Sequence, residues 1–598
     1  MRARLLLVAA LLIGSLTGCG VFGSDPRDAA AAFLAAVASG DAEAAGRLTD
    51  DPAAATELIR QVRAELQPRR VALTLGQIRT GENGEDTASA SFSADWEMSK
   101  NRHWRYQGSF DLAPADTEQG WSVRWSPAVL HPRLGAQQRV ELRVVAPEPA
   151  PVVDRAGTPL LTPQTVVTVA LDREHAPRVA AALAAALAPF DSRITEQSII
   201  EATNAAPQGE PTSVAVLRQQ DYLSVRDQIY ELPGVSFPTQ QRLLGPDRDF
   251  ASQLLPGIRS TVEEQLAGAA GWHIVTVNPV GAEVEELAGQ PPRPAVTVNT
   301  TVDRGVQASA EDALNGVPNP AMIVAMQPST GEILAVAQNA AADAQGALSL
   351  VGRYPPGSTF KIVTAAAALR SGAVTVDSPV PCPGTTVIEG RLIPNVDRFA
   401  LGTVPLHTAF ARSCNTTFAQ LAAGFEPGEL TDAAYQMGIG RDYDIPGITT
   451  LTGEVPAAES TVQRAENGFG QGQVLTTPFG MALVASAVAA NGQVPTPVLI
   501  RGMPTEMTTP TAPPVPGEVT GGLRSMMREV VTQGTATSLA AQGELHGKTG
   551  TAEYSGGAHV WFVGFRGDLA FAMLIVDAGS SGPALDVSGR FLSAMGPP

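Results

Sequence analysis

Two of the three lysines in this chain of 598 residues lie in short motifs that pair an amine with hydroxyl groups. The lysines are Lys100, Lys361 and Lys548, and the other strongly basic side chains are arginines. An arginine guanidinium stays protonated, whereas a lysine ammonium can lose its proton when it is buried or lies beside another cation. Of these two kinds of cation, only lysine is therefore suited to proton transfer, and the fold must bring Lys361 and Lys548 to the hydroxyl groups of the motifs.

Lys361 follows Ser358 by three positions at the start of a predicted helix. Residues 355–357 read Pro-Pro-Gly and end the preceding segment, and residues 358–369 have a helix-forming composition. This spacing places the hydroxyl and the amine on one face of the helix. Taken alone, the pattern is also typical of a capping serine followed by a solvated lysine.

Two later motifs favour nucleophilic catalysis over capping. Ser413-Cys414-Asn415 follows a predicted helix over residues 404–412, and Lys548-Thr549-Gly550-Thr551 lies in a predicted strand near the C-terminus. The order Ser-x-x-Lys, Ser-x-Asn, Lys-Thr-Gly resembles the signature of penicillin-binding proteins and serine β-lactamases. Three motifs in this order are far more specific than any one of them.

The resemblance implies a role for each motif residue. Acyl transfer to a serine needs a base, donors for the oxyanion and groups that orient the substrate. By resemblance, Ser358 is the nucleophile, and Lys361 is its base, kept neutral by burial and by the charge of Lys548. The other implied catalytic residues are Ser413, a proton relay that bridges the two lysines, and Lys548, which also faces the terminal carboxylate of the substrate. The implied substrate-binding residues are Asn415, Thr549, Gly550 and Thr551, and the N–H groups of Ser358 and Thr551 form the oxyanion site.

The N-terminal part of the chain predicts an α+β domain. Residues 25–68 have helical spacing, and apolar residues alternate around 71–75, 88–96 and 121–125. Helices followed by a curved antiparallel sheet resemble an NTF2-like domain, which we assign to residues 25–133.

The rest of the chain resembles class B penicillin-binding proteins, so the whole is predicted to be multi-domain α+β. Residues 134–297 include Val152–Gly157, which is similar to the family's IxDRxG stretch near the start of an elongated dimerisation, or pedestal, domain. Residues 298–598 are then the transpeptidase domain, in which apolar runs predict a five-stranded antiparallel sheet with helices. In the turn of its first hairpin, Gln327 stands where the family often has an aspartate.

The first 19 residues predict export and lipid attachment. Arg2 and Arg4 precede an apolar run over residues 5–16 that is too short to span a bilayer. The following Leu-Thr-Gly and Cys19 resemble a bacterial lipobox, which implies a lipid on Cys19; ordinary signal-peptidase cleavage stays an alternative. The expected location is the extracytoplasmic face of the cell membrane, with a lipid anchor.

Composition narrows the partners and cofactors. The net charge of −18 argues against nucleic acid or an anionic membrane surface as the main partner. Scattered histidines and cysteines without CxxC spacing indicate no metal site, and no organic cofactor is implied. For Cys382 and Cys414 we expect two small buried thiols, although a disulfide stays open because spacing alone does not show proximity.

Together these features predict a D,D-transpeptidase that cross-links peptidoglycan. Ser358 attacks the D-Ala-D-Ala carbonyl of a stem peptide, releases D-alanine and passes the acyl group to an amine on a neighbouring strand, and β-lactams acylate the same serine. A SEDS-type glycan polymerase and divisome or elongation proteins are the partners that the resemblance suggests. Two alternatives remain: a D,D-carboxypeptidase or β-lactamase that hands the acyl group to water, and a β-lactam receptor or wall-binding scaffold.

Overall fold

The computed structural model describes residues 25–81, 87–98, 102–147, 150–207, 209–247, 249–267, 270–554 and 556–596. These residues divide into two compact units, the first within 1–147 and 269–293 and the second within 148–268 and 294–598. None of the helices in these ranges is long and apolar enough to cross a membrane. Cys19, the predicted lipidation site, lies outside the described residues.

The first unit begins with three helices that share a core with a four-stranded antiparallel sheet. They are α1 (Pro26–Ser39), α2 (Ala42–Arg47) and α3 (Pro52–Leu66), followed by β1 (Arg70–Thr80), β2 (Ala88–Met98), β3 (Arg102–Pro114) and β4 (Trp121–Val123), in sheet order β1-β2-β3-β4. Each helix has an aspartate at its N-cap, and the side chain of that aspartate accepts a hydrogen bond from a backbone N–H group of the first turn. Trp96 and Trp104 are fully buried in this core. The arrangement is that expected of an NTF2-like domain.

After β5 (Arg139–Val145) the chain enters the second unit. Its next elements are β6 (Val152–Val153), β7 (Pro159–Leu171), α4 (Ala176–Leu187), α5 (Glu196–Ala205), β8 (Thr212–Arg218), α6 (Gln219–Ile229), β9 (Val235–Ser236), β10 (Thr239–Leu244) and α7 (Leu255–Ala267). Strand β7 pairs with β6, β8, β9 and β10. Helices α4, α5 and α6 bury their apolar faces with residues of β7 and β8.

Strands β11 (Gly271–Val277) and β12 (Glu283–Gln290) belong again to the first unit. They form a sheet of order β12-β11-β5, and their buried residues Trp272, Ile274 and Leu287 join the core of that unit. Residues 134–297, assigned from sequence to one domain, thus contribute to both compact units. The three domain boundaries stay a prediction.

The rest of the second unit is a five-stranded antiparallel sheet surrounded by helices, as predicted. Its order is β15-β14-β26-β25-β24. The elements are β13 (Val298–Asn299), α8 (Arg304–Leu314), β14 (Ala321–Met326), β15 (Ile333–Gln338), α9 (Ala340–Asp343), α10 (Leu348–Val351), α11 (Lys361–Arg370), β16 (Pro379–Cys382), β17 (Thr385–Ile388), β18 (Arg391–Pro394), β19 (Gly402–Pro405), α12 (Leu406–Ala411), α13 (Asn415–Ala423), α14 (Glu429–Gln436), β20 (Tyr443–Asp444), β21 (Gly453–Glu454), α15 (Thr461–Asn467), β22 (Leu475–Thr476), α16 (Pro478–Ala489), β23 (Glu506–Met507), α17 (Gly517–Thr532), β24 (Leu545–Tyr554), β25 (Gly557–Arg566), β26 (Leu569–Ile575) and α18 (Gly582–Ala594). Helix α16 is apolar and buried on all sides, as a helix enclosed by other elements must be.

Arg155, from the stretch that resembles IxDRxG, binds the turn between β14 and β15. Its guanidinium lies 3.0 Å from the Glu332 carboxylate and donates to Gln327 Oε1 at 2.7 Å. The Arg501 guanidinium lies 2.9 Å from the same carboxylate. The Gln327 amide also donates to the Asp568 carboxylate at 2.7 Å. A glutamine can accept and donate at once, which an ionised aspartate in this position could not do.

The change Glu332→Gln should lower the free energy of unfolding by about 1–3 kcal/mol, because it removes the carboxylate that two partly buried guanidinium groups share. Urea unfolding measures the loss. Glu454→Gln is the matched control, since Glu454 is 66% exposed and its partner Arg353 48% exposed, whereas Glu332 is 13% exposed. The control substitution should lower the free energy of unfolding by less than about 0.5 kcal/mol. Equal losses in the two variants would contradict the importance of the Arg155 contact.

Candidate active site

Ser358 lies on a 3-10 turn, Gly357–Phe360, that leads into α11. The sequence predicted an α-helix beginning at Ser358. In the structure, residues 358–360 belong to the 3-10 turn and the α-helix begins at Lys361. Gly357 has a φ of +51°, and a Cβ added there would lie 2.4 Å from the carbonyl oxygen of Thr551. A glycine is therefore needed at this position, both for the left-handed backbone and for the close approach of β24.

Lys361 lies one turn after Ser358, and its amine reaches back to the serine. Its Nζ is 2.9 Å from Ser358 Oγ. The Ser413 carbonyl oxygen and Asn415 Oδ1 accept hydrogen bonds from Nζ at 2.8 and 2.6 Å. The Ser413 hydroxyl is 3.2 Å away. The first two motifs thus meet at one nitrogen atom.

Lys548 reaches the same hydroxyl from β24. Its Nζ lies 2.9 Å from Ser413 Oγ and donates to the carbonyl oxygen of Thr549 at 3.0 Å. Ser413 Oγ is therefore within hydrogen-bonding distance of both amines. The Thr549 hydroxyl is hydrogen-bonded to that of Thr535 at 2.6 Å. Sequence reasoning missed Thr535, because a threonine after a helix carries no signal of its own.

Both lysine side chains are buried, and this burial sets their chemistry. The Lys361 amine lies 5.6 Å from the centre of the Phe418 ring, and the Lys548 amine lies 5.7 Å from that of Phe410. Loss of water lowers the pKa of Lys361 well below its usual range, and the charge of Lys548 lowers it further. Loss of water also lowers the pKa of Lys548 to about 7. Both amines can therefore lose their protons at a pH well below that at which an exposed lysine does.

A cleft of ≈ 780 Å³ opens beside Ser358, a volume typical of small-ligand sites. Besides the serine, it is lined by motif residues Ser413, Asn415, Thr549 and Thr551, by the β18 residues Arg391–Pro394, and by Thr535, Glu466, Gln471 and Glu553. All three motifs therefore border the cleft or the amines beside it. Of the predicted site residues, only Cys19 falls outside the described ranges.

Gly550 faces the chain's own backbone. A Cβ on Gly550 would lie 2.7 Å from the Pro356 carbonyl oxygen and 2.8 Å from the Thr359 side chain. Trp561 on the neighbouring strand β25 donates from its indole nitrogen to the Pro355 carbonyl oxygen at 3.0 Å. These contacts hold the turn that carries Ser358 against the sheet.

Gly470, in the Gly-Gln-Gly stretch over residues 470–472, supports the turn from another direction. Its carbonyl oxygen accepts a hydrogen bond from the Gly357 N–H at 3.0 Å. Its φ is +79°, and a Cβ there would lie 1.8 Å from the Gly357 carbonyl oxygen. No side chain fits at this position without moving the backbone that precedes Ser358.

Cys382 and Cys414 form a disulfide, so the expectation of two free thiols was wrong. Their Cα atoms are 6.1 Å apart although 32 positions separate them in sequence. The end of β16 and the start of α13 meet in the fold, which the spacing of the cysteines could not reveal. Cys414 is the central residue of the Ser413-Cys414-Asn415 motif.

Comparisons with known proteins find related chains. The family model described as penicillin binding protein transpeptidase domain matches residues 321–594, and the one described as NTF2-like N-terminal transpeptidase domain matches residues 25–138. The peptidoglycan D,D-transpeptidase PbpA of Mycolicibacterium smegmatis is 33% identical over 366 residues, which cover 52% of this chain and 72% of the relative. Penicillin-binding protein 3 of Bacillus subtilis is 24% identical over 536 residues, which cover 78% of this chain and 78% of the relative. PbpA of Mycobacterium tuberculosis is 30% identical over 337 residues, covering 47% of this chain and 66% of the relative.

The change Gly470→Ala should slow acylation of Ser358 by about tenfold or more, because a shift of the turn disturbs the alignment of the Ser358 hydroxyl with the Lys361 amine. Gly428→Ala is the matched control: its φ is +90°, and a Cβ there meets nothing within 4 Å. Both variants carry the strain of a left-handed alanine, about 1 kcal/mol. The rate of labelling by a fluorescent penicillin should separate them. Equal rates would show that the stretch does not hold the nucleophile.

Proposed function

We propose a residue-level mechanism for a chain that belongs to the class B penicillin-binding proteins, a family of peptidoglycan D,D-transpeptidases. The chain is a serine acyltransferase that cross-links the stem peptides of peptidoglycan. One observation carries the assignment of its residues: the Ser358 hydroxyl, the Lys361 amine, the Ser413 hydroxyl and the Lys548 amine follow one another at 2.9, 3.2 and 2.9 Å.

Lys361 is the general base. A neutral amine has one lone pair and two N–H groups. The lone pair takes the proton of Ser358, 2.9 Å away, while the N–H groups donate to the Ser413 carbonyl oxygen and to Asn415 Oδ1. Burial and the charge of Lys548 favour this neutral state, so Lys361 can accept a proton at neutral pH.

Ser413 and Lys548 pass the proton to the leaving group. When the peptide bond breaks, the amine of the departing D-alanine must gain a proton. Ser413 Oγ lies 3.2 Å from the Lys361 amine and 2.9 Å from the Lys548 amine. It can donate its own proton to the leaving nitrogen and regain one from either lysine, as a relay requires.

The cleft residues orient the donor peptide. Thr549 and Thr551, which line the cleft, bind its terminal carboxylate, and the buried Lys548 faces that carboxylate from behind them. The Asn415 amide binds the peptide amide. The backbone N–H groups of Ser358 and Thr551 stabilise the oxyanion. Gly550 serves substrate binding by letting β24 lie close to the nucleophile turn. An amine from a neighbouring strand then attacks the ester on Ser358, whereas the ester formed with a β-lactam persists.

Members of this family are membrane-associated enzymes of the extracytoplasmic cell wall. A lipid on Cys19, within a lipobox-like sequence, is the anchor we propose for this chain. A SEDS-type glycan polymerase and divisome or elongation proteins are the proposed partners, because cross-linking requires newly made glycan strands. The mass of the mature N-terminal peptide tests the lipid directly.

Ser358→Ala should abolish covalent labelling by a fluorescent penicillin, and Lys361→Arg should slow it by about 10³-fold, because a guanidinium cannot act as a base at neutral pH. A thioester stem-peptide mimic offered with a D-amino-acid acceptor tests turnover. Aminolysis by the wild type supports the transpeptidase. Hydrolysis alone would instead indicate a carboxypeptidase, and labelling without either reaction a receptor.

The acylation rate should rise with pH and level off before the usual lysine range is reached, because Lys361 must lose its proton and burial together with the charge of Lys548 lowers its pKa well below that range. As the pH is lowered and the acylation rate decreases, Lys548, whose pKa is about 7, also becomes protonated. Stopped-flow acylation measures the profile, and circular dichroism at each pH confirms that the protein stays folded. A rate still rising steeply at pH 9 would indicate an unperturbed lysine and contradict the mechanism.

A further inference from the structure

We propose that the disulfide between Cys382 and Cys414 positions Ser413 and Asn415 for the acylation of Ser358. The inference rests on the proposed function, since it concerns the rate of that reaction. The two sulfur atoms take no part in the proton transfers described above. Their bond is a positioning element in the wall of the cleft.

Cys414 lies between two groups that contact the base. On one side, the Ser413 carbonyl oxygen is 2.8 Å from Lys361 Nζ, and on the other, Asn415 Oδ1 is 2.6 Å from it. The backbone at Cys414 therefore fixes two contacts of the base at once. A displacement of about 1 Å would lengthen both beyond hydrogen-bonding distance.

The backbone of Ser413 is held in an uncommon conformation. Its φ is +61°, in the left-handed region that residues other than glycine seldom adopt. Such a conformation persists only when its surroundings enforce it. The next residue, Cys414, is fully buried, and its N–H donates to the Ala409 carbonyl oxygen at 2.8 Å. A covalent link at Cys414 opposes relaxation of the strained serine.

The other end of the bond is anchored in the strand that faces α13. Cys382 is fully buried at the end of β16, which pairs with β19. The hydroxyls of Thr416 and Thr417 donate to the carbonyl oxygens of Pro383 and Pro381 at 2.8 and 2.7 Å. The disulfide thus lies in a seam of contacts that joins the start of α13 to β16 and the residue after it.

Asn395 crosses the same seam beside the sulfur atoms. Its amide nitrogen donates to the carbonyl oxygens of Pro383 and Phe399 at 2.9 and 2.8 Å, and its Oδ1 accepts from the Thr416 N–H at 3.0 Å. These polar contacts cross the seam without involving the sulfur–sulfur bond. The disulfide adds a covalent limit to the movement of the two motif residues.

The test compares the wild type with Cys382→Ala, both exported to an oxidising compartment. The second-order rate constant for acylation by a fluorescent penicillin should fall by about 10- to 100-fold in the variant, the effect of a misplacement of about 1 Å. The fraction of Ser358 finally labelled should equal that of the wild type. A merely structural bond would lower the labelled fraction and the unfolding temperature but leave the rate constant of the folded protein unchanged, which would overturn the positioning role.

Leu592→Ala is the control for lost stability, since Leu592 is fully buried in α18 and lies outside the seam. It should lower the unfolding temperature without changing the rate constant. If Cys382→Ala does not fold, Cys382→Val refills the buried space and serves the same comparison.

Three outcomes distinguish failure of this inference from failure of the proposed function. Alkylation of both cysteine-containing peptides in denatured, unreduced wild type would show that the bond is absent and overturn it. A wild type that is never labelled overturns the proposed function itself. A labelled wild type with an equally fast Cys382→Ala variant overturns only the role of the disulfide.

Discussion

Two lysine amines buried close together cannot both stay protonated without a large free-energy penalty. The mechanism that we propose for this protein depends on that constraint. Each ammonium has lost its water, and the charge of Lys548 opposes that of Lys361. Their contacts are hydroxyl, carbonyl and amide oxygens, which support an amine without fixing its charge. The base that we propose, Lys361, is therefore prepared by its surroundings before any substrate arrives.

The fold keeps this arrangement by bringing backbone segments unusually close. The turn that carries Ser358 lies against β24 because Gly357 and Gly550 have no side chain in the way, and Gly470 closes the turn from another direction. Trp561 fixes the preceding segment by its hydrogen bond to the Pro355 carbonyl oxygen. The two lysines thus occupy adjacent, rigid elements, a helix and a strand, and preorganisation of this kind lowers the cost of reaching the transition state.

Patterns of short range could be predicted from the sequence, and contacts of long range could not. Apolar runs indicated the five-stranded sheet, and the three motifs indicated which side chains lie around Ser358. The disulfide between Cys382 and Cys414 was missed because a separation of 32 positions says nothing about distance in space. Thr535 was missed for the same reason: its hydrogen bond to Thr549 depends on how α17 ends beside β24. The pairing of β5 with β11 was likewise invisible, since more than a hundred residues of the second unit lie between them.

The scarcity of lysine allows a direct measurement of the central claim. Lysine labelled with ¹³C at Cε gives three signals, from Lys100, Lys361 and Lys548, and each shift reports the protonation of its own amine. The variants Lys361→Arg and Lys548→Arg assign the two signals of the active site. We expect both to titrate far below the usual lysine range, that of Lys548 at about pH 7. Three signals that all titrate near the ordinary lysine pKa of about 10.4 would contradict the account.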